Sequence, residues 1–444
     1  MRICFVSRRF FPAVSGMSVY ASNLLRELVA AGHEVTMVSQ YRGDEEGTRV
    51  YGGGPPPRVP GVEVIGLEAL GEQAGGDFEA DVATIRETVL AAGRFDLVHA
   101  QYGYPTGLAA MEAARELGVP CVVSIQGGDG HWVGSCCGTH ERAMRTVLDH
   151  AGALLIGSPS FRDEVIGRFG TPPERFTIIP GAVDADRFRF GPPQDRRGRL
   201  AHGSPGRRDR DRRQRGSLET SLAGDSPGVA PASDSREDTP PSARAAPPTL
   251  LYHGRVDRRK GALDLIDAIA DMDTDVRVVM SGIGPDFEAA RAKATALSLD
   301  AHFPGVIDYD QVPDVYTDGD LFVSPTYAEG FSNTILEAMA SGLPVVAGRA
   351  VGVVDCITDG ANGVLVEPGD VGGLAYALDA LLADGPRRER LALQARDDVE
   401  RKYAWPVVAQ QIMHAYATAP ARIDWASPTG PREPCRFREA PHLL

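Results

Sequence analysis

Lysine is nearly absent from this chain. Among 444 residues it occurs three times, at Lys260, Lys293 and Lys402, and arginine supplies the other 43 of the 46 basic side chains, as a bias in coding composition would produce. Enzymes that carry pyridoxal phosphate on a Schiff-base lysine need such a residue in a cleft. Only Lys260 has a suitable setting, which argues against a phosphorylase of that kind.

Long apolar runs are absent as well. No stretch of about 18 apolar residues occurs, so we expect no membrane-spanning helix. The opening MRICFVSRRF lacks the charged and then apolar segments of a signal peptide. These absences favour the cytoplasm, where the six cysteines are expected to be thiols, because a chain of this length needs no disulfides. The net charge of −14 argues against nucleic acid as the main partner.

The first 190 residues alternate between strand-like and helix-like segments. Residues 18–30 are predicted to form an amphipathic helix that ends at Gly32. The predicted strands are 2–7, 34–39, 96–100, 120–125, 153–158 and 176–181. Apolar strands separated by helices indicate a parallel sheet that is covered on both faces.

Residues 191–248 interrupt this alternation. The stretch contains 11 arginines, 8 acidic residues and no aromatic residue. It has too little apolar surface to offset the entropy of an ordered chain, so we predict a disordered linker or insertion. Its arginine-rich part, 207–215, leaves open a contact with anionic lipid or with another protein.

The alternation restarts at residue 249, which predicts a second α/β domain over 249–402. Its predicted strands are 249–254, 276–282, 320–325, 343–348 and 364–368, and its predicted helices are 261–272, 285–298, 333–341 and 371–383. We therefore expect an α/β fold with two doubly wound, Rossmann-like domains that face each other across a cleft, the usual place for a ligand. The segment 386–418 reads as helical, and about 403–418 would complete the first domain, 1–190. Residues 419–444 read as an irregular tail.

A first candidate site follows the strand predicted at 249–254. Arg255 and Lys260 flank a short loop after Gly254, and Gly261 opens the next helix. A helix N-terminus offers free N–H groups and partial positive charge, so two cations beside it form a site for a doubly charged anion such as a diphosphate. A solvated basic turn is the alternative.

A second candidate site surrounds the helix predicted after Phe331. Ser332 or Asn333 is suited to cap it, which places Glu337 about one turn into the helix, in an apolar run where a charge needs partners. A carboxylate there can accept hydrogen bonds from two neighbouring hydroxyl groups, as in a ribose diol. Glu329 lies in the loop before the helix, nearer to any phosphate-linked group. A surface pair of glutamates is the alternative.

The segment 329-EGFSNTILEAMASGLPVV-346 resembles the E-x7-E signature of the retaining glycosyltransferases of family 4, which have the GT-B fold. Further segments resemble the same family in the same order and span most of residues 1–418. They are 12-PAVSGMSVYASNLLRELVAAGHEV-35, 178-IIPGAVDADRF-188, 254-GRVDRRKG-261, 282-GIGP-285, 310-DQVPDVYTDGDLFVSPT-326 and 351-VGVVDCITDGANGVLVEPGD-370.

The resemblance implies a role for each matching position. Arg255 and Lys260 would neutralise the diphosphate of a nucleotide-sugar donor. Glu337 would hold its ribose, and Glu329 would contact the transferred sugar. The remaining implied donor-binding residues are Gly16, Gly254, Gly330, Phe331, Ser332 and Asn333. No metal and no organic cofactor is implied, because cations and helix ends would carry the charge of the leaving group, and no dedicated base is implied for a front-face reaction.

The acceptor side departs from the family pattern. Family members often carry histidine where this chain has Gln126, which can hydrogen-bond a sugar hydroxyl but cannot carry a proton near neutral pH. Asp129 and His131 are candidates to orient acceptor hydroxyls, with loop structure as the alternative. His99, at the end of a predicted strand, is a further candidate in the cleft.

The implied partners are a nucleotide-sugar donor and a hydroxyl acceptor, either a saccharide or a lipid-linked molecule. The loop 7-SRRFFP-12 is basic and aromatic, so it is suited either to border an acceptor or lipid surface or to form a packed turn. This leaves open a peripheral contact with the inner face of the membrane. The nucleotide base, the sugar and the acceptor are not specified by the sequence.

A third cluster contains His131, Cys136, Cys137 and His140. Two cysteines and two histidines can bind zinc, but adjacent cysteines strain a single tetrahedral site and the spacing matches no zinc finger or knuckle. A vicinal redox pair and plain loop thiols are the alternatives, and we expect plain thiols.

Three other classes of protein remain as alternatives. A dinucleotide-dependent oxidoreductase is disfavoured because 282-GIGP-285 lacks the third glycine of its fingerprint. A sugar-nucleotide epimerase with the GT-B fold would use the same donor site without an acceptor. A non-catalytic sugar-binding protein would keep the fold but not the reaction.

Overall fold

The computed structural model describes residues 1–435 apart from 14, 46–52, 72, 74, 75, 132 and 191–246. The linker predicted over 191–248 therefore lies outside the described residues except at positions 247 and 248. The part of the predicted tail after residue 435 lies outside them too. None of the described helices is both long enough and apolar enough to cross a membrane.

The first sheet has seven parallel strands in the order β3-β2-β1-β4-β5-β6-β7. These are β1 Arg2–Ser7, β2 Glu34–Tyr41, β3 Val62–Glu68, β4 Leu97–Gln101, β5 Cys121–Ile125, β6 Ala153–Ile156 and β7 Phe176–Ile178. Successive residues of β1 alternate between two apolar cores, because Cys4 and Val6 pack on one face and Ile3 and Phe5 on the other. The sheet is therefore covered on both faces.

Helices cover these faces. They are α1 Gly16–Ala30, α2 Phe78–Ala91, α3 Leu108–Leu117, α4 Gly127–His131, α5 Gly138–His150 and α6 Pro159–Phe169, with a π-helical turn Gly103–Gly107 before α3 and a 3-10 turn Pro173–Arg175 before β7. Ser15 caps α1 by accepting a hydrogen bond from the backbone N–H of Ser18 at 3.2 Å. The helix predicted at 18–30 thus begins two residues earlier.

The second sheet has six parallel strands in the order β10-β9-β8-β11-β12-β13. These are β8 Thr249–His253, β9 Arg277–Ser281, β10 Asp300–Gly305, β11 Leu321–Ser324, β12 Val345–Gly348 and β13 Val364–Val366. Its helices are α7 Ala262–Asp271, α8 Phe287–Ala296, α9 Val312–Thr317, α10 Asn333–Ala340, α11 Val371–Ala383 and α12 Gly385–Asp398, with 3-10 turns at Arg258–Lys260 and Tyr309–Gln311. Two doubly wound α/β units confirm the predicted fold class.

Two strands are absent from the sequence prediction, β3 (Val62–Glu68) and β10 (Asp300–Gly305). Both lie at the edge of their sheet, and neither has a fully buried residue in its burial pattern. They lack the continuous apolar run that marks the central strands. The sequence pattern that identifies a buried parallel strand, a continuous apolar run, is therefore missing from these edge strands.

The segment predicted as helical over 386–418 is interrupted. After α12 comes a π-helical turn, Val399–Tyr403, and then Ala404 is extended (φ −68°, ψ 141°) before α13, Trp405–Thr418. Trp405 is 2% exposed and its ring lies 4.9 Å from that of Tyr20 in α1. Ile412 joins the same core as β1, so α13 packs on the first domain.

Each sheet changes winding direction between two neighbouring strands. In the first sheet this point lies between β1 and β4, and in the second between β8 and β11. Loops that leave the carboxyl ends of such strands diverge and leave a crevice, where open α/β sheets bind ligands. The loops 254–261 and 325–332 leave β8 and β11, and the loop that leads to Gly16 leaves β1.

Candidate active site

The loop after β8 is folded around Asp257. Its carboxylate accepts a hydrogen bond from the Lys260 backbone N–H at 3.0 Å and binds the Arg255 guanidinium at 2.8 Å. Gly261 follows with φ 67°, and a Cβ there would lie 2.1 Å from the Pro325 carbonyl oxygen. Glycine is therefore required for this tight start of α7. Asp257 keeps Arg255 and the Lys260 backbone in one fixed turn.

The loop after β11 is fastened to the first loop. The Tyr327 backbone N–H donates to the Arg259 carbonyl oxygen at 2.8 Å, and the Thr326 hydroxyl donates to the same oxygen at 3.3 Å. The Lys260 ammonium reaches across to Glu329, with 2.6 Å between Nζ and Oε1. The two candidate sites of the sequence are thus one site, and its cation and anion are in direct contact.

Glu337 lies one turn into α10 and is buried, with 6% of its surface exposed. The Tyr316 hydroxyl donates a hydrogen bond to its Oε2 at 2.8 Å. Burial raises the pKa of Glu337 from 4.5 to about 7, while the Tyr316 hydrogen bond and the nearby Arg187 oppose the rise. Ionising this carboxyl in the folded protein therefore costs free energy.

The start of α10 contacts the first domain. Asn333 Nδ2 donates to the Gly16 carbonyl oxygen at 3.4 Å, and the Ser158 hydroxyl donates to the Gly330 carbonyl oxygen at 3.4 Å. A Cβ at Gly330 would lie 2.9 Å from the backbone nitrogen of Gly127. The two domains therefore meet at the backbone of the candidate donor loop, with no space for a side chain at position 330.

The other residues of this loop have separate surroundings. The Phe331 ring lies 5.5 Å from that of Tyr403, beside Gly181 of the first domain. Ser332 occupies the N-cap position of α10 but makes no capping hydrogen bond with its side chain. Gly254 follows β8 directly, with φ 138°.

The acceptor-side candidates do not all reach this place. Gln126 is half-buried and directly precedes Gly127, which touches Gly330. Asp129 lies in the short helix α4. His131 is 8% exposed, and its Nδ1 lies 2.8 Å from Glu164 Oε1, so its ring turns towards α6.

His99 does not lie in the cleft, where it was predicted. It lies in the middle of β4 rather than at its end, and it is fully buried. Its ring nitrogens pair with the Tyr416 hydroxyl at 2.6 Å and the Ser124 hydroxyl at 2.8 Å. Burial lowers its pKa to about 3, so His99 is a neutral core residue that links β4 to β5 and α13.

A basic pocket lies at the carboxyl ends of β1 and β2. It is lined by Arg8, Arg9, Ala13, Gln40, Tyr41, Arg42, Gly53 and Ala69. Arg8 is 2% exposed and its guanidinium lies 4.5 Å from the centre of the Tyr102 ring, while Arg42 forms an ion pair with Asp44. The predicted basic and aromatic loop is therefore a packed turn that borders a pocket of the first domain.

Two family models match the chain in succession. The model described as "Glycosyl transferase 4-like domain" matches residues 15–182, and the model described as "Glycosyl transferases group 1" matches residues 234–398. The first covers most of the first domain and the second most of the second domain. The chain belongs to the family 4 glycosyltransferases. As an enzyme of that family it transfers a sugar from a nucleotide-sugar donor to an acceptor.

Curated relatives of this glycosyltransferase span nearly its whole length. A D-inositol 3-phosphate glycosyltransferase of Xylanimonas cellulosilytica is 28% identical over 444 residues, which is 92% of each chain. A sulfoquinovosyl transferase of Arabidopsis thaliana is 26% identical over 430 residues, 94% of this chain and 73% of that protein. A glycogen synthase of Mycobacterium tuberculosis is 25% identical, with 98% and 97% covered. Their names differ in sugar and acceptor.

Solved structures share the GT-B fold. HepE of Anabaena in complex with UDP superimposes with a TM-score of 0.66 at 18% identity, over 94% of this chain and all of that one. Sucrose-phosphate synthase of Thermosynechococcus elongatus gives a TM-score of 0.68 at 21% identity, over 94% and 98%. The GT-B fold implied by the sequence resemblance is thereby confirmed.

Sequence reasoning missed two residues at the site of this glycosyltransferase. Asp257 carried a usable signal, because an aspartate ahead of a short turn with free N–H groups is a typical cap. Tyr316 carried none, because it precedes its partner Glu337 by 21 residues and belongs to another helix. Only the packing of α9 against α10 brings its hydroxyl to the carboxylate.

Proposed function

We propose that Arg255, Lys260, Glu329 and Glu337 form the donor site of a retaining transfer reaction. The observation that carries the proposal is the 2.6 Å contact between Lys260 and Glu329, which joins the loops after β8 and β11 at the point where the sheet changes winding direction. A ligand in this crevice meets two cations, a helix N-terminus and two carboxylates at once. That combination fits a nucleotide diphosphate attached to a sugar.

The diphosphate lies against Arg255 and Lys260 in this proposal. Both belong to one turn fixed by Asp257, so they are positioned before the donor arrives. As the bond between the sugar and the diphosphate breaks, negative charge grows on the leaving oxygen. Fixed cations stabilise the transition state, in which this charge has grown, more than they stabilise the ground state. The reaction therefore needs no divalent metal.

The nucleoside lies towards α10, where Glu337 accepts hydrogen bonds from the two ribose hydroxyls. The Tyr316 hydroxyl donates a hydrogen bond to Oε2 of Glu337 and so orients the carboxylate. Glu329, in the loop before α10, faces the transferred sugar. The backbone N–H groups of Gly330 and Phe331 are further donors to the sugar or the phosphate.

The transfer step is a front-face substitution. The bond between the anomeric carbon and the diphosphate oxygen breaks, and a bond from the acceptor oxygen to the same carbon forms on the same side. The acceptor proton passes to a diphosphate oxygen, so the leaving group is the base. Gln126 is consistent with this route, because an amide can orient a hydroxyl without taking its proton.

The acceptor enters from the first domain, past Gln126 and the loop 8–13. It is a hydroxyl compound, either a saccharide or a lipid-linked molecule. A small pocket lined by Arg8 and Arg42 lies at the carboxyl ends of β1 and β2 in the same domain. With a lipid-linked acceptor, the protein would associate peripherally with the inner face of the membrane, from the cytoplasm.

Release of the nucleoside diphosphate from a panel of donors and acceptors tests the proposal. Lys260→Ala should lower kcat about 100- to 1000-fold, the usual effect of removing one preorganised donor to developing charge. Arg258→Ala is the matched control, since its side chain is 81% exposed in the same turn. Turnover by Lys260→Ala equal to that of the control would contradict the assignment.

Two further arms of the assay separate the alternatives. Nucleotide release that continues undiminished without any acceptor, with an epimerised sugar as product, would indicate an epimerase. Loss of turnover in EDTA, restored by Mg²⁺ or Mn²⁺ but not by Zn²⁺, would contradict the metal-independent mechanism. Binding of a donor without turnover of any acceptor in the panel would leave the site as a sugar-nucleotide receptor.

A further inference from the structure

A compact cluster of soft ligands lies away from the donor site. Among the described residues it is formed by Cys136, Cys137, His140 and Cys435, whose potential ligand atoms all lie within 4.8 Å of one another. His131, which the sequence grouped with these cysteines, turns instead towards Glu164. The fourth member of the cluster is instead Cys435, which lies about 300 residues further along the chain.

The distances within the cluster are close to those of a tetrahedral site. Cys136 Sγ lies 3.1 Å from His140 Nδ1, and Cys435 Sγ lies 3.5 Å from the same nitrogen. Zinc bonds of about 2.3 Å to sulfur and 2.0–2.1 Å to nitrogen place neighbouring ligand atoms roughly 3.5–3.8 Å apart. Small side-chain rotations are enough to reach that geometry.

Local helix geometry explains how adjacent cysteines share one site. Cys137 is the N-cap of α5 with an extended backbone (φ −165°, ψ 159°), and its sulfur accepts the His140 backbone N–H at 3.5 Å. An N-cap side chain folds back over the first turn, where His140 is the third helical residue. Cys136 approaches from the preceding loop. The strain expected of two adjacent cysteines is therefore relieved by the cap.

The tail is fastened so that it delivers Cys435. Glu433 accepts a hydrogen bond from the Gly138 backbone N–H at 2.9 Å and pairs with Arg142 at 3.2 Å. Its own backbone N–H donates to the Thr139 hydroxyl at 3.0 Å. These contacts hold the tail against the first turn of α5. Cys435, two residues further on, is 3% exposed.

The imidazole is also fixed from outside the cluster. The His140 ring packs against Phe78 and Tyr104, with ring centres 5.4 Å and 4.8 Å away, and the residue is 1% exposed. An apolar shell that excludes water and fixes ligand orientation is typical of metal sites in proteins.

We propose that Cys136, Cys137, His140 and Cys435 bind one structural zinc ion. Three thiolates and one imidazole match the preference of Zn²⁺ for sulfur and nitrogen in a tetrahedron. Four protein ligands close the coordination sphere, so the ion has a structural role and takes no part in sugar transfer. Binding releases the thiol protons to solvent. The ion ties the tail to the loop that connects α4 and α5.

Metal content of the full-length chain, purified without a polyhistidine tag, tests the proposal. After incubation with zinc and desalting, the wild type should retain about one zinc per chain. Cys435→Ser should lose it under the same conditions, because even loss of a hydrogen bond to a ligand typically costs about 10- to 100-fold in affinity. Cys356→Ala is the control. It removes a buried thiol outside the cluster and should keep the zinc.

Cobalt substitution and thiol mapping complete the test. Co²⁺ added to the metal-free wild type should give the intense visible absorption of tetrahedral cobalt with thiolate ligands, and Cys435→Ser should not. Equal zinc retention by wild type and Cys435→Ser would overturn the proposal, and so would a wild type that keeps no zinc. A disulfide joining Cys435 to Cys136 or Cys137, found by mass spectrometry without reductant, would overturn it in favour of a redox link.

Discussion

Glu337 offers a direct test of the proposal that a buried carboxylate is kept for donor binding at the expense of stability. Burial raises its pKa from 4.5 to about 7. A carboxyl whose pKa is higher in the folded state favours folding below pH 4.5, and this contribution is lost as pH rises through 7. Ionising Glu337 in the folded protein at pH 8 thus costs about 3 kcal/mol of unfolding free energy, from 1.36 kcal/mol per pKa unit.

Glu337→Gln removes this cost while keeping the shape and the Tyr316 hydrogen bond. The buried amide N–H₂ needs a new partner, which offsets about 1 kcal/mol, so the variant should be more stable than wild type by about 2 kcal/mol at pH 8. Near pH 5 the difference should vanish. At roughly 2–4 °C per kcal/mol for a domain of this size, the midpoint of thermal unfolding at pH 8 should rise by about 4–8 °C.

The same variant should lose donor affinity. If ribose hydroxyls donate to the ionised carboxylate as proposed, donor binding to the wild type should tighten about tenfold from pH 6 to pH 8, as the ionised fraction rises through a pKa of about 7. Glu337→Gln should bind the donor more weakly and with no such pH dependence. Each hydrogen bond to a charged group contributes about 1.5–3 kcal/mol.

Differential scanning fluorimetry across pH, with isothermal titration of a nucleotide sugar, measures both effects. Glu288→Gln is the control, because Glu288 lies in the same domain with 71% of its side chain exposed. If Glu337→Gln were no more stable than wild type at pH 8, the buried carboxylate would not be the strained group. If donor affinity were flat with pH, Glu337 would not be the group that binds the ribose.

Three further changes test other parts of the site. Gly330→Ala should slow turnover by holding the domains apart, since its Cβ would lie 2.9 Å from the Gly127 nitrogen. Gly372→Ala is the control, because its Cβ would lie 3.9 Å from its nearest neighbour and should leave turnover unchanged. Equal kinetics of the two variants would refute the close approach of the domains at Gly330. Deletion of residues 200–245 should leave folding and turnover unchanged, and a loss of either would show that the segment has a structural role. Glu329→Gln should bind a nucleoside diphosphate more tightly but transfer sugar more slowly, and a parallel loss of both would mean that Glu329 only positions Lys260.

The sequence was most informative where chemistry follows directly from a strand end. Arg255, Lys260 and Glu329 each lie within a few residues of a buried parallel strand, and such loops converge at the carboxyl edge of the sheet. Local pattern therefore placed them in two candidate sites, which the family resemblance joined into one implied donor site. His99 failed because the strand continues to Gln101, one residue beyond its predicted end, which leaves the side chain in the middle of the strand and buried.

Contacts between distant segments could not be read in the same way. The Cys435 thiol reaches His140 only because Glu433 and Arg142 fasten the tail beside α5. Tyr316 reaches Glu337 only because α9 packs against α10. Neither pairing leaves a periodic signal, since each depends on how whole elements pack rather than on the spacing of neighbours.

The ion pair between Lys260 and Glu329 explains how one site can be both preorganised and able to accept a donor. Side chains of this pair are 29% and 16% exposed, so each would lose hydration without a partner. Their contact keeps the ammonium in place before the donor binds, and the entropy of fixing it is spent at folding. In the proposed donor complex, a diphosphate carries more negative charge than one carboxylate and would displace Glu329 from the ammonium. On the same proposal, the released carboxylate would lie beside the sugar, where positive charge develops as the bond to the diphosphate breaks.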